Sequence, residues 1–275
     1  MNRNDRKLLK EIFSKGSRTY FNSSLFFPQE VRDAVYALYG FVRTADNFVD
    51  TIPQDKAGFL SFRKDYEKGK GDHPVINIFR ELEERKKFDK KWTKAFLDSM
   101  QMDLTKKSYD TLTQTLKYIF GSAEVIGLMM SRIMDLPKTA EFHACHLGRA
   151  MQYINFIRDI GEDIGFDRNY FPQTDMKKFG LHTLSMTEAQ NKPTQFRTFI
   201  REQLKKYQSW QKIAEEGFSY IPKKYLIAIK TASDMYNWTA DQIRKDPFIV
   251  FRKKVKPSRL FILKTVLLNI LTIKG

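Results

Sequence analysis

The sequence predicts an all-α fold, a helical bundle built around a central cavity, and three observations carry that expectation. Apolar residues recur at helical spacing through most of the 275 residues. No run shows the strict alternation of a half-buried strand. Hydrophobic residues make up 42% and aromatic residues 14% of the chain, enough for one large core. No internal repeat, low-complexity tract or linker-like stretch divides the chain, so 1–275 reads as one domain.

Taken in order, helical spacing runs through Arg6 to Phe13, Glu30 to Asp50, Lys56 to Lys68, Pro74 to Lys86 and Lys91 to Asp103. It resumes through Ser108 to Met134, Thr139 to Gly165, Pro193 to Glu216 and Lys223 to Lys245, with Gly, Pro or Asn at most of the breaks. Gly69 to Pro74 and Gln173 to Pro193 read as loops. Met1 to Lys10 is polar and lacks the apolar stretch of a signal peptide. The apolar segment Leu260 to Ile273 is interrupted by Lys264 and Asn269 and is shorter than a membrane span requires. A basic segment from Arg252 to Arg259 precedes it, which gives two readings: a terminal helix docked on the core, or one lying on a membrane surface.

The formal net charge is +16, from 48 Lys and Arg against 32 Asp and Glu. Such an excess favours a polyanion: nucleic acid, an anionic membrane or a phosphorylated substrate. Nucleic acid is disfavoured, because the cations lie in scattered runs such as Arg85 to Lys87 and no nucleic-acid motif is present. The single cysteine, Cys145, excludes an internal disulfide framework and fits a reducing compartment. Its neighbours His143 and His146 match no zinc spacing.

Two acidic stripes stand out. On a helix, Gln152, Asn155, Asp159 and Asp163 fall on one face, flanked by Arg158 and Glu162, while Tyr153, Ile154, Phe156, Ile157 and Ile160 occupy the others. Upstream, Tyr36, Tyr39, Arg43, Asp46 and Asp50 form a second stripe. A lone D-x-x-x-D pair on a helix is most often a solvated face. Two such stripes, each carrying amide or guanidinium groups among apolar neighbours, point instead to crowded carboxylates that need a cation between them. An all-oxygen donor set points to Mg²⁺, which takes one or two carboxylates and leaves positions for water and phosphate.

These segments resemble the two aspartate-rich motifs of the squalene/phytoene synthase family, the second following its Q-x-x-N-x-x-R-D-x-x-E-D-x-x-x-x-R-x-Y-x-P pattern from Gln152 to Pro172. Ser17 to Tyr20 is similar to the family's N-terminal Ser-x-Ser-Phe flap, with Thr19 in place of the second serine. Met102-Asp103-Leu104 and the helix through Gly127, and Leu147-Gly148-x-Ala150, extend the likeness from about Ser17 to Arg259. The first motif reads D-N-x-x-D, so Asn47 removes one charge.

The resemblance implies an isoprenoid-synthase-like bundle and a Mg²⁺-dependent head-to-head condensation of two allylic prenyl diphosphates, with Mn²⁺ able to substitute. It implies metal binding by Asp46, Asp50, Asp159, Asp163 and Glu162, catalytic roles for those four aspartates with Arg43 and Arg158, and substrate contacts from Ser17, Thr19, Tyr39, Tyr118, Gln152, Asn155, Arg168 and Tyr236. The favoured reaction is two geranylgeranyl diphosphates to phytoene. Alternatives are squalene or dehydrosqualene from farnesyl diphosphate, with NADPH only for squalene, and a non-catalytic assembly relative. An anionic membrane is the expected surface partner, and the cytoplasm the expected location, with peripheral association on the inner face of the membrane as an option. An apolar tunnel should shield the carbocation, with Phe21, Phe26, Tyr36, Tyr39, Phe120, Val125, Leu128, Met129 and Ile154 as lining or plain core. Two diphosphates need both head groups at one mouth, so the stripes are expected to face each other across one cavity, on antiparallel helices.

Overall fold

The computed structural model describes residues 1–17, 21, 23–69 and 71–274; Arg18, Thr19, Tyr20, Asn22, Lys70 and Gly275 lie outside the described residues. The first helix, α1 (Arg3–Gly16), is opened by a capping box in which the Asn2 side chain accepts from the Asp5 N–H at 2.8 Å and Asp5 accepts in return. Next comes α2 (Gln29–Val49), whose Val31, Ala34, Val35, Leu38, Phe41, Ala45 and Val49 form the buried stripe that the heptad-like spacing requires. It ends at Asp50, three residues before Pro53. Then follow α3 (Lys56–Lys68), α4 (Pro74–Arg85) and α5 (Lys90–Met102). Gly69 closes α3 at φ +92°, a left-handed position that a residue with a side chain rarely takes.

The expected Ser108 to Met134 helix is three pieces: α6 (Leu112–Ile119), a π-helical turn at Phe120–Glu124, and α7 (Val125–Ile133). Ser108 to Thr111 is not helical, because Tyr109 bridges to Pro172 and Thr111 caps α6. The expected Thr139 to Gly165 helix is likewise divided, into α8 (Glu141–Arg158) and α9 (Ile160–Gly165), with the break at Asp159. The Gln173 to Pro193 segment is no open loop, since it holds α10 (Gln173–Lys178) and α11 (Met186–Asn191). The chain finishes with α12 (Pro193–Glu216), α13 (Lys223–Lys245), α14 (Ile249–Arg252) and α15 (Arg259–Lys274). Among the described residues there is no β-strand, as the sequence patterning predicts.

Two apolar clusters form the interior. One joins α1 to α5 and α7 through residues such as Phe13, Phe41, Phe79 and Phe96; the other joins α6, α8, α12 and α13 through Tyr153, Ile157, Phe199 and Tyr207. Where α12 runs along α8, the buried Tyr153 hydroxyl donates to Gln203 Oε1 at 2.6 Å, so neither phenol nor amide oxygen is stranded.

The π turn and α8 cross at backbone contact. A Cβ on Gly148 would stand 2.4 Å from the Ala123 carbonyl oxygen, and one on Gly127 would stand 2.3 Å from that of Ala144. Backbone on both sides cannot yield as a flexible side chain would. Gly148→Ala is therefore expected to destabilise by about 1–3 kcal/mol through overpacking, lowering the Tm by roughly 2–10 °C in a chain of this size. Thermal melts of the variant check this, and an unchanged Tm would show that the crossing is looser than described.

Candidate active site

One cavity of about 870 Å³ takes side chains from both apolar clusters and from both acidic stripes. Val35, Leu38, Tyr39, Arg43, Asp46 and Asp50 line it along one face of α2. From Val35 to Asp50 that face extends about 22 Å at the helical rise, and its character passes from aliphatic to acidic. On α8 the lining runs in the same sense, from Ala144 and Leu147 through Gln152 and Asn155 to Asp159, then Asp163 on α9. Asp50 and Asp159 are each the C-cap residue of their helix. Because the acidic ends meet and the apolar stretches share one cavity, α2 and α8 run in the same direction. The expectation of antiparallel helices is thus corrected, while that of opposed stripes on one cavity matches the geometry.

Arg168 joins the stripes. Its backbone N–H donates to the Asp163 carbonyl at 2.9 Å, and its Nη1 donates to Asp50 Oδ1 at 2.8 Å. Nη2 donates to the Val49 carbonyl, which α2 leaves without a helical partner. Arg43 Nη1 donates to Asp46 Oδ2 at 2.6 Å, and Arg158 makes a bidentate pair with Asp159. Asp163 alone of the four carboxylates has no hydrogen bond or ion pair among the described residues. Burial, and then the charge of Asp159, pushes its carboxyl up to about 8, with Arg168 opposing. Burial and Asp50 likewise raise Asp46 despite Arg43. The Asn155 Oδ1 atom is buried in the cavity wall with no donor among the described residues.

Asp103, just past α5, was not singled out as a site residue by sequence. It is buried, and its two oxygens accept from the Tyr118 hydroxyl at 2.6 Å and the Tyr170 hydroxyl at 2.9 Å. Burial raises its carboxyl to about 6, against the pull of Arg168 and both phenols. The signal available was a carboxylate in the Met102-Asp103-Leu104 step with apolar neighbours on both sides.

Of the other predicted residues, Ser17, Tyr39, Tyr118, Gln152 and Tyr236 line the same cavity, and Thr19 lies outside the described residues. Glu162 does not line it: its carboxylate faces a smaller cleft, where Lys254 Nζ donates to it at 2.5 Å. Of the residues read as tunnel lining or plain core, most follow the core reading. Tyr36, Val125, Leu128, Met129 and Ile154 are plain core, whereas Phe26 and Phe120 are exposed. Phe13, Met100, Ile126, Met130, Met134 and Ile229 supply the apolar wall instead. The π turn changes which residues of this helix face inward, and it presents Ser122 and Ala123 to the cavity.

The donor set fits Mg²⁺. Among the described residues no three His, Cys, Asp or Glu side chains converge to form a protein cage. Paired carboxylates, an orphan amide oxygen and room for water and phosphate oxygens are what this hard cation uses.

The chain belongs to the squalene/phytoene synthase family, whose model matches residues 13–260. A 15-cis-phytoene synthase from Paracoccus sp. is 25% identical over 263 residues, covering 90% of this chain and 85% of that relative. A phytoene synthase from Rhodobacter capsulatus is 31% identical over 185 residues, covering 64% of this chain and 55% of that one. Among solved structures, a dehydrosqualene synthase in complex with a ligand superimposes with a TM-score of 0.88 at 24% identity, over 98% of this chain and 97% of that one. A squalene synthase from Alicyclobacillus acidocaldarius gives a TM-score of 0.79 at 20% identity, over 90% and 95% of the two chains. At those identities the superpositions show the fold. The family membership makes the chain a prenyltransferase of the Mg²⁺-dependent, head-to-head type that condenses prenyl diphosphates, so the non-catalytic alternative is set aside.

The raised Asp163 carboxyl sets a pH dependence. A carboxyl whose folded pKa is raised contributes stability below its unfolded value, near 4, and loses it as pH rises through the folded value of about 8. The metal-free protein should therefore lose Tm between pH 5 and 8.5. Asp163→Asn is expected to flatten that fall, to exceed the wild type in Tm at pH 8.5, and to respond less to added Mg²⁺. Melting curves across that range, with and without the metal, check all three.

Proposed function

We propose that this enzyme joins two geranylgeranyl diphosphates head to head and makes phytoene through a cyclopropylcarbinyl diphosphate. The observation that carries this reading is the single cavity, acidic at one end of α2 and α8 and apolar along both. The C20 substrate is supported by the curated relatives from Paracoccus sp. and Rhodobacter capsulatus, both phytoene synthases by name.

In this reading the diphosphates sit at the acidic mouth and the prenyl chains extend along the apolar wall. Asp46, Asp50, Asp159 and Asp163 would hold Mg²⁺, which when bound would supply charge to neutralise a departing diphosphate. Arg43, Arg158 and Arg168, now paired with aspartates, are placed to turn guanidinium N–H groups to phosphate oxygens once those carboxylates have a metal to neutralise them. Gln152 and Asn155 offer amide groups two turns and one turn before Asp159, respectively. Asp103 fixes the Tyr118 hydroxyl at the cavity wall, and Tyr39, stacked on Phe13 at 3.8 Å between ring centroids, closes the wall near the head groups.

Loss of diphosphate from the first substrate leaves an allylic cation. The double bond of the second attacks it, and a proton leaves as the cyclopropane closes. Loss of the second diphosphate allows rearrangement to the 1-1′ bond, and a second proton departs to give the triene of phytoene. No reductant is consumed along this course. Water would quench either cation, so the apolar lining from Met100, Ile126, Met130 and Met134 has a chemical task as well as a packing one.

Incubation of purified protein with geranylgeranyl or farnesyl diphosphate, with and without NADPH, followed by mass spectrometry of the hydrocarbon, tests the proposal. A C40 triene without need of NADPH is expected. A C30 product formed faster would assign the shorter substrate. Asp46→Ala and Asp159→Ala should each reduce turnover on the order of 10²–10³-fold or more, as losses of charge stabilisation do, with Tm kept or raised. Excess chelator should abolish turnover and added Mg²⁺ restore it.

A further inference from the structure

The terminal helix α15 is apolar on two opposite faces, and only one of them is covered. Its inner face packs on α13: Val266 and Ile273 are buried, Phe261 meets the Trp238 ring at 5.4 Å, and the buried Asn269 Nδ2 donates to Thr231 Oγ1 at 3.2 Å and Asp234 Oδ2 at 2.8 Å. The outer face carries Leu260, Leu263, Leu267 and Leu271 at i, i+3, i+7 and i+11, exposed by 77%, 59%, 61% and 70%, with Leu268 beside them at 52%. Scattered exposed leucines need no explanation, but five on one helix face do.

The surroundings say what covers it. Lys264 lies within the leucine face, and Lys253 and Arg259 precede it; all three are exposed and form no ion pair among the described residues. Acidic residues are absent from Arg259–Lys274. Among the described residues no helix is long and apolar enough to cross a membrane, so the leucines do not belong to a span. An apolar stripe edged by unpaired cations is the pattern of a helix lying in the headgroup region of an anionic bilayer. The segment leading into the helix is also part of the active-site wall, since Lys254, Val255, Lys256 and Pro257 line the large cavity. Whatever holds α15 therefore sits a few residues from the cavity.

We propose that the outer face of α15 docks the enzyme on an anionic lipid surface, with Leu260, Leu263, Leu267 and Leu271 entering the acyl boundary and Lys253, Arg259 and Lys264 meeting the headgroups. The inner face stays on α13, so docking needs no unfolding, and the cavity wall formed by Lys254 to Pro257 is brought next to the lipid. This inference does not depend on which prenyl diphosphate the enzyme uses.

The test is cosedimentation of the full chain with vesicles of 30% phosphatidylglycerol in phosphatidylcholine, against pure phosphatidylcholine, at low and high salt. A Leu263→Gln, Leu267→Gln, Leu271→Gln triple variant keeps helix formers at outward positions and leaves the Asn269 contacts alone. Expected are binding of the wild type to the anionic vesicles, at least tenfold weaker binding of the triple variant at unchanged Tm, and weaker binding at high salt. Equal binding of wild type and variant, equal binding to both vesicle types, or no binding at all would overturn the proposal. So would a wild type that sediments as a dimer without lipid and a variant that is monomeric, which would assign the face to a second copy.

Discussion

Negative charge gathered where two helices end is the constraint on which the rest of this structure depends. Asp50 closes α2 and Asp159 closes α8, each at the electronegative end of its helix. Asp46 and Asp163 add two more carboxylates one turn away on either side, recessed enough that burial raises both. The α8 helix receives Arg158 from its own last turn, whereas α2 has no basic residue in its last turn. Here three arginines, two of them from the acidic stripes themselves, partly offset the field, and Asp163 is left without a partner among the described residues. The arrangement is costly for folding and useful for holding a divalent cation with phosphate. Active sites commonly accept that exchange of stability for function.

The remainder of the bundle can be read as what brings those ends together and keeps them there. Arg168 spans the stripes, using its backbone for one and its guanidinium for the other. Glycine at 127 and 148 lets α7 and the π turn lie against α8 at backbone contact, which draws Gln152 and Asn155 toward the cavity. The π turn itself shifts the register of a helix that would otherwise continue, so Ser122 and Ala123 face inward and Phe120 faces out. Behind these, Asp103 accepts from two phenols and holds Tyr118 in place without exposing its own charge.

The same economy appears in the segment between α14 and α15. Lys254 reaches Glu162 and lies 3.7 Å from Asp159, while the residues after it continue along the cavity wall and then enter the terminal helix. One short stretch thus serves the acidic mouth, the cavity and the tail. A division of the chain into catalytic and peripheral parts would cut through it.

The sequence by itself determined the helices and the residue types of the site. Apolar spacing marks α2, α12 and α13 nearly to their ends, and the two stripes name the carboxylates and arginines, because a helix of known period converts spacing directly into a face. The same period concealed the rest. A π turn and a break at Asp159 are invisible to a pattern that assumes an unbroken ladder, which is why the outward place of Phe120 was not legible in the sequence. Tertiary structure alone decided the parallel sense of α2 and α8, the place of Glu162 outside the cavity, the role of Asp103, and which face of α15 is open. Each of these depends on contacts between residues far apart in sequence, and periodicity along one element carries no information about what that element will meet.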